Sequence, residues 1–248
     1  PEANRVHYVS ICSPNYLHDA HCRLALRVGA DVICEKPLVI NPWNLDQLQS
    51  VEQETGHKIN TVLQLRLLPS LLALKHQLAG SHTQHDVILT YITSRGAWYH
   101  TSWKGSEEKS GGIATNIGVH FFDLLQWLFG AVAEVKVFHS DPKCMSGFIE
   151  LQNARVRWFL SVDAADLPFP LVPGGKTTFR SITVDGQEIE FSEGFTDLHT
   201  RVYEEVLQGN GFGIPDVRPS IQLTYDIRTA PITSPEDLAH PSLKRLQS

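Results

Sequence analysis

Apolar and polar positions follow two different patterns along the chain, and the first occupies residues 1–65. Short β-branched or aromatic runs alternate there with longer segments whose apolar residues recur at helical spacing. Glycines close both helical segments, and Asn41-Pro42 supplies an N-cap and first turn for the second. Strands are predicted at 6–12, 31–34 and 59–65, and helices at 18–28 and 42–55. This strand–helix alternation predicts a parallel sheet with crossover helices.

The pattern changes after Pro69, where short strands follow one another with turns such as Asp185-Gly186 between them. Strands are predicted at 87–93, 134–138, 145–151, 155–162, 178–184 and 188–191, and helices at 116–129 and 195–207. Successive strands of this kind predict a largely antiparallel sheet. The helix at 195–207 is expected to be the last element, with a loosely held tail beyond Thr233. The sequence thus predicts an α/β domain at 1–68 and an α+β domain at 69–248.

Composition narrows the class of protein. The 248 residues are 42% hydrophobic and 19% charged, with a net charge of −6, which is ordinary for a globular protein. Lysine and arginine do not cluster as nucleic-acid binding requires, and no apolar stretch approaches the roughly 20 residues of a membrane helix. The four cysteines show no CxxC spacing and are typical of reduced thiols. A cytoplasmic protein is expected.

The first candidate for chemistry is Glu35-Lys36-Pro37, which ends the predicted strand at 31–34. Parallel α/β sheets place functional groups at the carboxyl ends of their strands, and Ser13-Pro14-Asn15 ends the neighbouring strand at the same edge. A partly desolvated lysine there could exchange a proton with a substrate hydroxyl. A solvated strand end explains the same two charges, and the strand position alone leaves both explanations open.

The second candidate lies at residues 110–130. Gly111-Gly112 allow close backbone approach, and Asn116 and His120 are spaced i and i+4 on the predicted helix at 116–129. Histidine is the side chain best suited to proton transfer near neutral pH. A buried histidine with a purely structural role is the alternative, because the neighbours of His120 are core-like phenylalanines and leucines.

These motifs together resemble a known family. Ser-Pro-Asn-x-x-His at 13–18, Glu-Lys-Pro at 35–37 and Gly-Gly-x-x-x-Asn-x-Gly-x-His at 111–120 are similar in order and spacing to the glucose–fructose oxidoreductase / inositol dehydrogenase (Gfo/Idh/MocA) family. The resemblance covers nearly the whole chain. It is strongest to the family's bacterial sugar-nucleotide dehydrogenases.

That resemblance implies NAD-dependent oxidation of the 3-hydroxyl of a UDP-linked N-acetylglucosaminuronate, for synthesis of cell-surface polysaccharide such as O-antigen. It also implies a 2-oxo acid that reoxidises NADH, and a homo-oligomer, either a tetramer or a dimer. The implied catalytic residues are Lys36, His120 and Asn116, the last replacing an aspartate common in the family. The implied cofactor residues are Ser13, Pro14, Asn15, His18, Glu35, Lys36, Gln64 and Arg66. The implied substrate residues are Arg95, Tyr99, Lys104, Asn116 and His120.

Three further expectations qualify that assignment. No metal is expected, because His18 and His21 have no further ligands at a recognisable spacing. No G-x-G-x-x-G turn occurs in the first 65 residues, so roughly 60 residues of a complete dinucleotide-binding fold are expected to be missing. A non-catalytic ligand-binding or scaffold protein on the same fold, or an inactive fragment, therefore remains the alternative to an enzyme.

Overall fold

The computed structural model describes residues 5–80, 83–192 and 197–246, which form two β-sheets and the helices that cover them. The strands are β1 (Tyr8–Ile11), β2 (Asp31–Cys34), β3 (Ile59–Thr61), β4 (His85–Thr93), β5 (Val132–Ser140), β6 (Cys144–Leu151), β7 (Ala154–Ser161), β8 (Thr178–Val184) and β9 (Gln187–Glu190). The helices are α1 (His18–Arg27), α2 (Pro42–Thr55), α3 (Pro69–Leu78), α4 (Ala97–Thr101), α5 (Glu107–Ser110), α6 (Gly112–Asn116), α7 (Val119–Phe129), α8 (Leu198–Leu207), α9 (Ile214–Thr229) and α10 (Pro241–Leu246).

The first sheet is parallel, with the order β1-β2-β3, as the alternation of strands and helices predicts. Helices α1 and α2 are the crossovers between its strands, and Gly56 ends α2 in a left-handed conformation with φ 73°. Asn41 occupies the predicted N-cap of α2, but its side chain makes no capping bond and instead accepts a hydrogen bond from Arg228 at 2.9 Å. Parallel topology brings the carboxyl ends of β1 and β2 to one edge, which is where the site lies.

The second sheet has six strands in the order β5-β6-β7-β4-β8-β9. Its central pair β4–β7 is parallel and the other four pairs are antiparallel, so the prediction of a largely antiparallel sheet is confirmed. Helix α7 covers one face. The buried ring of Trp158 lies edge-on to Phe122 of this helix at 5.4 Å between centroids, and Tyr91 lies 4.6 Å from Phe121.

Two predicted elements are shorter than the sequence suggests. The strand predicted at 59–65 ends at Thr61, and the chain then turns into a 3-10 segment at Gln64–Leu67. The helix predicted at 116–129 is two helices, α6 and α7, separated at Ile117-Gly118. A Cβ on Gly118 would lie 2.4 Å from the Ala114 carbonyl oxygen, so this sharp junction requires glycine. Asn116 and His120 therefore lie on either side of a junction between two helices, at the end of α6 and the start of α7.

The carboxyl-terminal elements differ most from prediction. The first two residues of the helix predicted at 195–207 lie outside the described ranges, and within those ranges α8 begins at Leu198, after Asp197. It is not the last element, because α9 runs for 16 residues after the glycine-rich turn at 209–213. The tail is held in place, since Ala239, His240 and Leu243 are buried on the outer face of the second sheet. The expectation of a loose tail is wrong because apolar residues inside it have a sheet face to cover.

Helix α9 contributes to both hydrophobic cores. Its residues Ile214, Val217 and Ile221 pack with the first sheet and its crossover helices. Leu223 and Ile227 pack with the second sheet. Residues beyond 68 therefore complete the core that surrounds the first sheet.

No helix in the described ranges combines the length and the apolar character needed to cross a bilayer.

Candidate active site

Lys36 follows β2 and points its amine toward the junction between the sheets. Its Nζ donates to the backbone carbonyl oxygen of Asn116 at 2.7 Å. The Lys36–Pro37 peptide bond is cis. The neighbouring carboxylate of Glu35 takes a different partner, because His199 Nε2 at the first turn of α8 donates to its Oε1 at 2.9 Å. The two charges of this motif therefore engage different elements, with Lys36 bonded to the end of α6 and Glu35 to the first turn of α8.

The environment of Lys36 disfavours its charged form. Burial lowers the pKa of this lysine from 10.5 to about 8, and the charges of Arg95, Lys104 and Arg180 push the pKa in the same direction. The carboxylate of Glu35 opposes them. Burial removes the water that stabilises an ammonium ion, and nearby cations add repulsion. A pKa near the working pH is what a proton-transferring group requires.

His120 lies close to Lys36, at the start of α7. Burial, followed by the positive charges of Lys36, Arg180 and His199, lowers its pKa well below 6.5, so the imidazole is neutral at pH 7. Its Nδ1 is buried and has no hydrogen-bond partner among the described residues. A buried ring nitrogen left without a partner costs free energy, which fits a group that awaits a ligand.

Amide and hydroxyl groups fix the orientation of Asn116. Its Nδ2 donates to the hydroxyl of Tyr99 at 3.0 Å. Asn15, from the loop after β1, donates to the carbonyl oxygen of Ser110 at 2.9 Å and reaches Asn116 Oδ1 at 3.5 Å. The structure thus brings a predicted cofactor residue, Asn15, into contact with a predicted substrate residue, Asn116, which in turn contacts another, Tyr99. Gly111 has φ 80°, and a Cβ there would lie 2.5 Å from Thr115 Cβ, so packing alone explains this glycine.

Three cations lie close enough to Lys36 to affect its pKa, and one of them, Arg180, also affects that of His120. Lys104 lies 5.4 Å from the ring centroid of Trp98 and 5.6 Å from that of Trp103, and burial lowers its pKa. Arg95 has a buried Nε for which the described part of the chain offers no hydrogen-bond partner. Arg180 lies over the ring of Tyr91 at 5.2 Å.

Sequence reasoning missed Arg180. Its place beside the site follows from the β4–β8 pairing, in which Arg180 is opposite Tyr91. The only local signal is a charged residue within a strand, which is common on solvated faces. A tertiary contact was needed to find it.

The predicted cofactor residues lie at the carboxyl edge of the first sheet, but several are engaged by protein groups. Ser13 Oγ lies 2.9 Å from His21 Nδ1. Both ring nitrogens of His18 lie against backbone carbonyl oxygens, at 2.7 Å from Pro37 and 2.8 Å from Ser13. Burial lowers the pKa of His18, so a neutral ring donates to only one of them. His18 therefore braces the loop that carries Ser13 and Pro14.

Gln64 and Arg66 have different environments. Gln64 Oε1 is buried and has no hydrogen-bond partner within the described ranges. Arg66 instead forms a bidentate pair with Asp123 at 2.7 and 2.9 Å and reaches Asp216 at 3.4 Å. The structure therefore commits its guanidinium to a buried ion pair and does not bring it into the Lys36 cluster. The partners lie 57 and 150 residues away along the chain, so no local pattern indicates this ion pair.

The fold and the site agree with one family of oxidoreductases. Residues 1–62 match the model of the oxidoreductase family's NAD-binding Rossmann fold, and residues 83–165 match the model of its C-terminal alpha/beta domain. The chain belongs to the Gfo/Idh/MocA oxidoreductase family, as the resemblance of its motifs indicated.

Two solved structures from Thermus thermophilus are similar to this chain throughout. The WlbA (WbpB) dehydrogenase in complex with NAD and alpha-ketoglutarate is 52% identical, with a TM-score of 0.92, covering 97% of this chain and 78% of that one. The same dehydrogenase in complex with NAD and UDP-GlcNAcA is 52% identical with a TM-score of 0.91, covering 95% of this chain and 76% of that one.

A curated relative is more distant. An oxidoreductase subunit from Amycolatopsis mediterranei, assigned to a UDP-kanosamine synthase, is 29% identical over 94% of this chain. The chain spans 63% of the length of that relative.

Proposed function

We propose that the protein is an NAD-dependent sugar-nucleotide dehydrogenase that oxidises the 3-hydroxyl of a UDP-linked N-acetylglucosaminuronate. The observation that carries this proposal is the Lys36 amine, buried beside a neutral His120 and ringed by cations. A scaffold protein has no use for this combination, because burying a lysine next to other cations is costly.

Lys36 is the proton acceptor in this proposal. With a pKa of about 8, about a tenth of its amine is free at pH 7. His120 is neutral but a much weaker base, because its pKa is well below 6.5. As the sugar O–H bond breaks, its proton passes to the Lys36 amine, while His120 hydrogen-bonds the same oxygen and Asn116 orients the sugar ring.

The residues present fit NAD. Ser13, Pro14 and Asn15 line the carboxyl edge of a parallel sheet, where such folds bind nucleotides. Gln64 carries a buried oxygen that lacks a partner among the described residues, as expected beside a polar ligand group. When bound, NAD supplies the acceptor for the hydride that leaves the sugar carbon.

The cations favour an anionic sugar. Arg95, Lys104 and Arg180 lie close enough to Lys36 to affect its pKa, so a uronate or diphosphate here would have its charge offset. The similar dehydrogenase solved with UDP-GlcNAcA supports the uronate. The complex with alpha-ketoglutarate supports a 2-oxo acid as the oxidant that regenerates NAD. A role in making surface polysaccharide is the corresponding biological proposal.

Turnover tests the proposal directly. The protein is incubated with NAD and UDP-GlcNAcA, and NADH is followed by absorbance. Lys36→Met should lower kcat by about 10²–10⁴-fold, the usual contribution of a proton-transferring side chain. Lys143→Met is the matched control, because Lys143 is exposed and pairs with Asp163 at the surface, outside the group of charges that act on Lys36. Near-normal kcat in Lys36→Met would remove Lys36 from the chemistry, and tight UDP-GlcNAcA binding without any turnover would favour the non-catalytic alternative.

A further inference from the structure

Glu35 precedes Lys36 directly, yet the two opposite charges do not pair. The Lys36 amine donates to Asn116, and the Glu35 carboxylate accepts from His199. Side chains of adjacent residues have enough freedom to meet at the end of a strand. An opposite charge within about 4–6 Å commonly raises the pKa of a lysine by 1–3 units. A direct Glu35–Lys36 pair would therefore keep the lysine protonated.

His199 is a firmly placed partner for Glu35. It lies in the first turn of α8, and Val202 and Val206 of this helix pack on Ile33 and Val62 of the first sheet. The hydroxyl of Tyr203 hydrogen-bonds Ser10 Oγ, and Arg201 donates to the Leu67 carbonyl oxygen at 2.8 Å. These contacts fix the helix turn that carries the imidazole.

The His199–Glu35 pair itself contributes little to stability. The side chains of His199 and Glu35 are 53% and 27% exposed, and exposed ion pairs typically contribute between about 0 and 1 kcal/mol. The location of the pair is more informative, because Glu35 adjoins Lys36 and His199 lies close enough to His120 to lower its pKa. The pair therefore joins α8 to the proton-transfer residues.

We propose that His199 is a positioning residue, which holds the Glu35 carboxylate away from the Lys36 ammonium and so keeps the amine available as a proton acceptor near neutral pH. The inference rests on the proposed function for its catalytic meaning.

The other charges that act on Lys36 all come from the second domain. Arg95 follows β4, Lys104 lies in the turn after α4 and Arg180 lies on β8, while the neutral His120 lies in the first turn of α7. The three cations favour the free amine and Glu35 alone favours the ammonium. The position of the Glu35 carboxylate therefore controls how readily the Lys36 amine loses its proton.

The test is a titration of Lys36 by NMR of protein labelled with 15N-lysine, its signal assigned by loss in Lys36→Met. The wild-type pKa is expected at about 8. His199→Leu removes the donor, and the pKa of Lys36 should rise by about one unit or more. His199→Gln keeps an N–H donor and should leave that pKa within a few tenths of wild type. Glu35→Gln should lower it by about one unit.

The double variant His199→Leu/Glu35→Gln decides between positioning and general disturbance of the site. If His199 acts only through the carboxylate, the pKa of Lys36 in the double variant should equal that in Glu35→Gln. A rise that persists without the carboxylate would overturn the proposal, as would an unchanged Lys36 pKa in His199→Leu. Comparing His199→Gln with Glu35→Gln keeps the test decisive if the leucine variant folds poorly.

Failure of this inference is distinguishable from failure of the proposed function, because the titration requires neither NAD nor sugar. Turnover adds a second readout. In His199→Leu the pH at which kcat rises should move up by about one unit, with activity about tenfold lower at pH 7 and nearly normal at high pH. If the wild type turns over but the pKa of Lys36 is the same in the His199 variants, the positioning role is refuted and the dehydrogenase function stands. If the Lys36 pKa shifts as predicted in the variants but the protein shows no turnover, the positioning role stands and the dehydrogenase function is refuted.

Discussion

Replacing Lys36 by methionine should stabilise the folded protein. Its pKa falls from 10.5 to about 8 on folding, which corresponds to a cost of about 3 kcal/mol for burying the lysine at pH 7. Methionine fills similar volume without a charge, but loses the hydrogen bond to Asn116, worth about 1 kcal/mol. The free energy of unfolding at pH 7 should therefore rise by about 2 kcal/mol.

The gain should depend on pH in a definite direction. Between pH 8 and 10.5 the unfolded chain binds more protons at Lys36 than the folded chain, so the wild type gains stability as pH rises. At about pH 9.5 the cost of burying Lys36 falls to about 1 kcal/mol, so that it nearly cancels the lost hydrogen bond and Lys36→Met should be about as stable as the wild type. Above about pH 10.5 only the lost hydrogen bond remains, and the variant should become the less stable protein.

Urea unfolding at several pH values measures this difference, with Lys143→Met as the control. Lys143 is exposed, and its hydrogen bond and attraction to Asp163 raise its pKa, so the control should not stabilise the protein. A common m-value for the variant and the wild type would show that the midpoint reports stability. Equal stability of Lys36→Met and wild type at pH 7, or a gain that does not decline above pH 8, would refute a desolvated lysine.

Further predictions concern turnover and the buried ion pair. The kcat/KM of the wild type should rise with pH through about 8, because the free amine of Lys36 is the active form; a profile flat from pH 7 to 9 would argue against this base. Lys36→Arg should be about as inactive as Lys36→Met, since a guanidinium keeps its proton. Measurably higher activity of Lys36→Arg at pH 7 would contradict the role of Lys36 as proton acceptor. Arg95→Ala should raise KM for UDP-GlcNAcA by at least tenfold while NAD affinity, measured by calorimetry, changes little. Asp123→Ala should cost about 3 kcal/mol in urea unfolding because it removes the bidentate partner of the buried Arg66 and leaves only the longer contact to Asp216; a loss below about 1 kcal/mol would show that Asp216 or water replaces the carboxylate.

Local signals were enough to predict most of the fold. Strand β2 and the start and end of α2 follow from β-branched residues, proline at the first turn and a glycine stop. Helix α9 escaped notice because Pro215 and Pro219 interrupt its pattern. Pro215 occupies the first turn, where proline is tolerated, and Pro219 lies one turn further in. The packing of α9 against two cores compensates for a weak intrinsic preference.

The candidate site, like the fold, was predicted from the sequence only in part. The family resemblance implied that Lys36, Asn116 and His120 share one site, and the structure places them at one junction. Arg180 and His199 could not be found from sequence, because their places depend on strand pairing and on the docking of α8. Residues that tune a catalytic group often carry no local signature, since only the folded chain brings their charges near it.

The sharing of α9 between the two cores limits how the protein can be recombined. A chimera that joins residues 1–68 to the second domain of a distant relative would inherit a foreign α9 against β3 and α2. Ile214, Val217 and Ile221 would then be replaced without regard to Leu45 and Leu48, which they help to bury. Grafts that keep α9 with the first sheet should exchange substrate specificity more readily than grafts cut at residue 68.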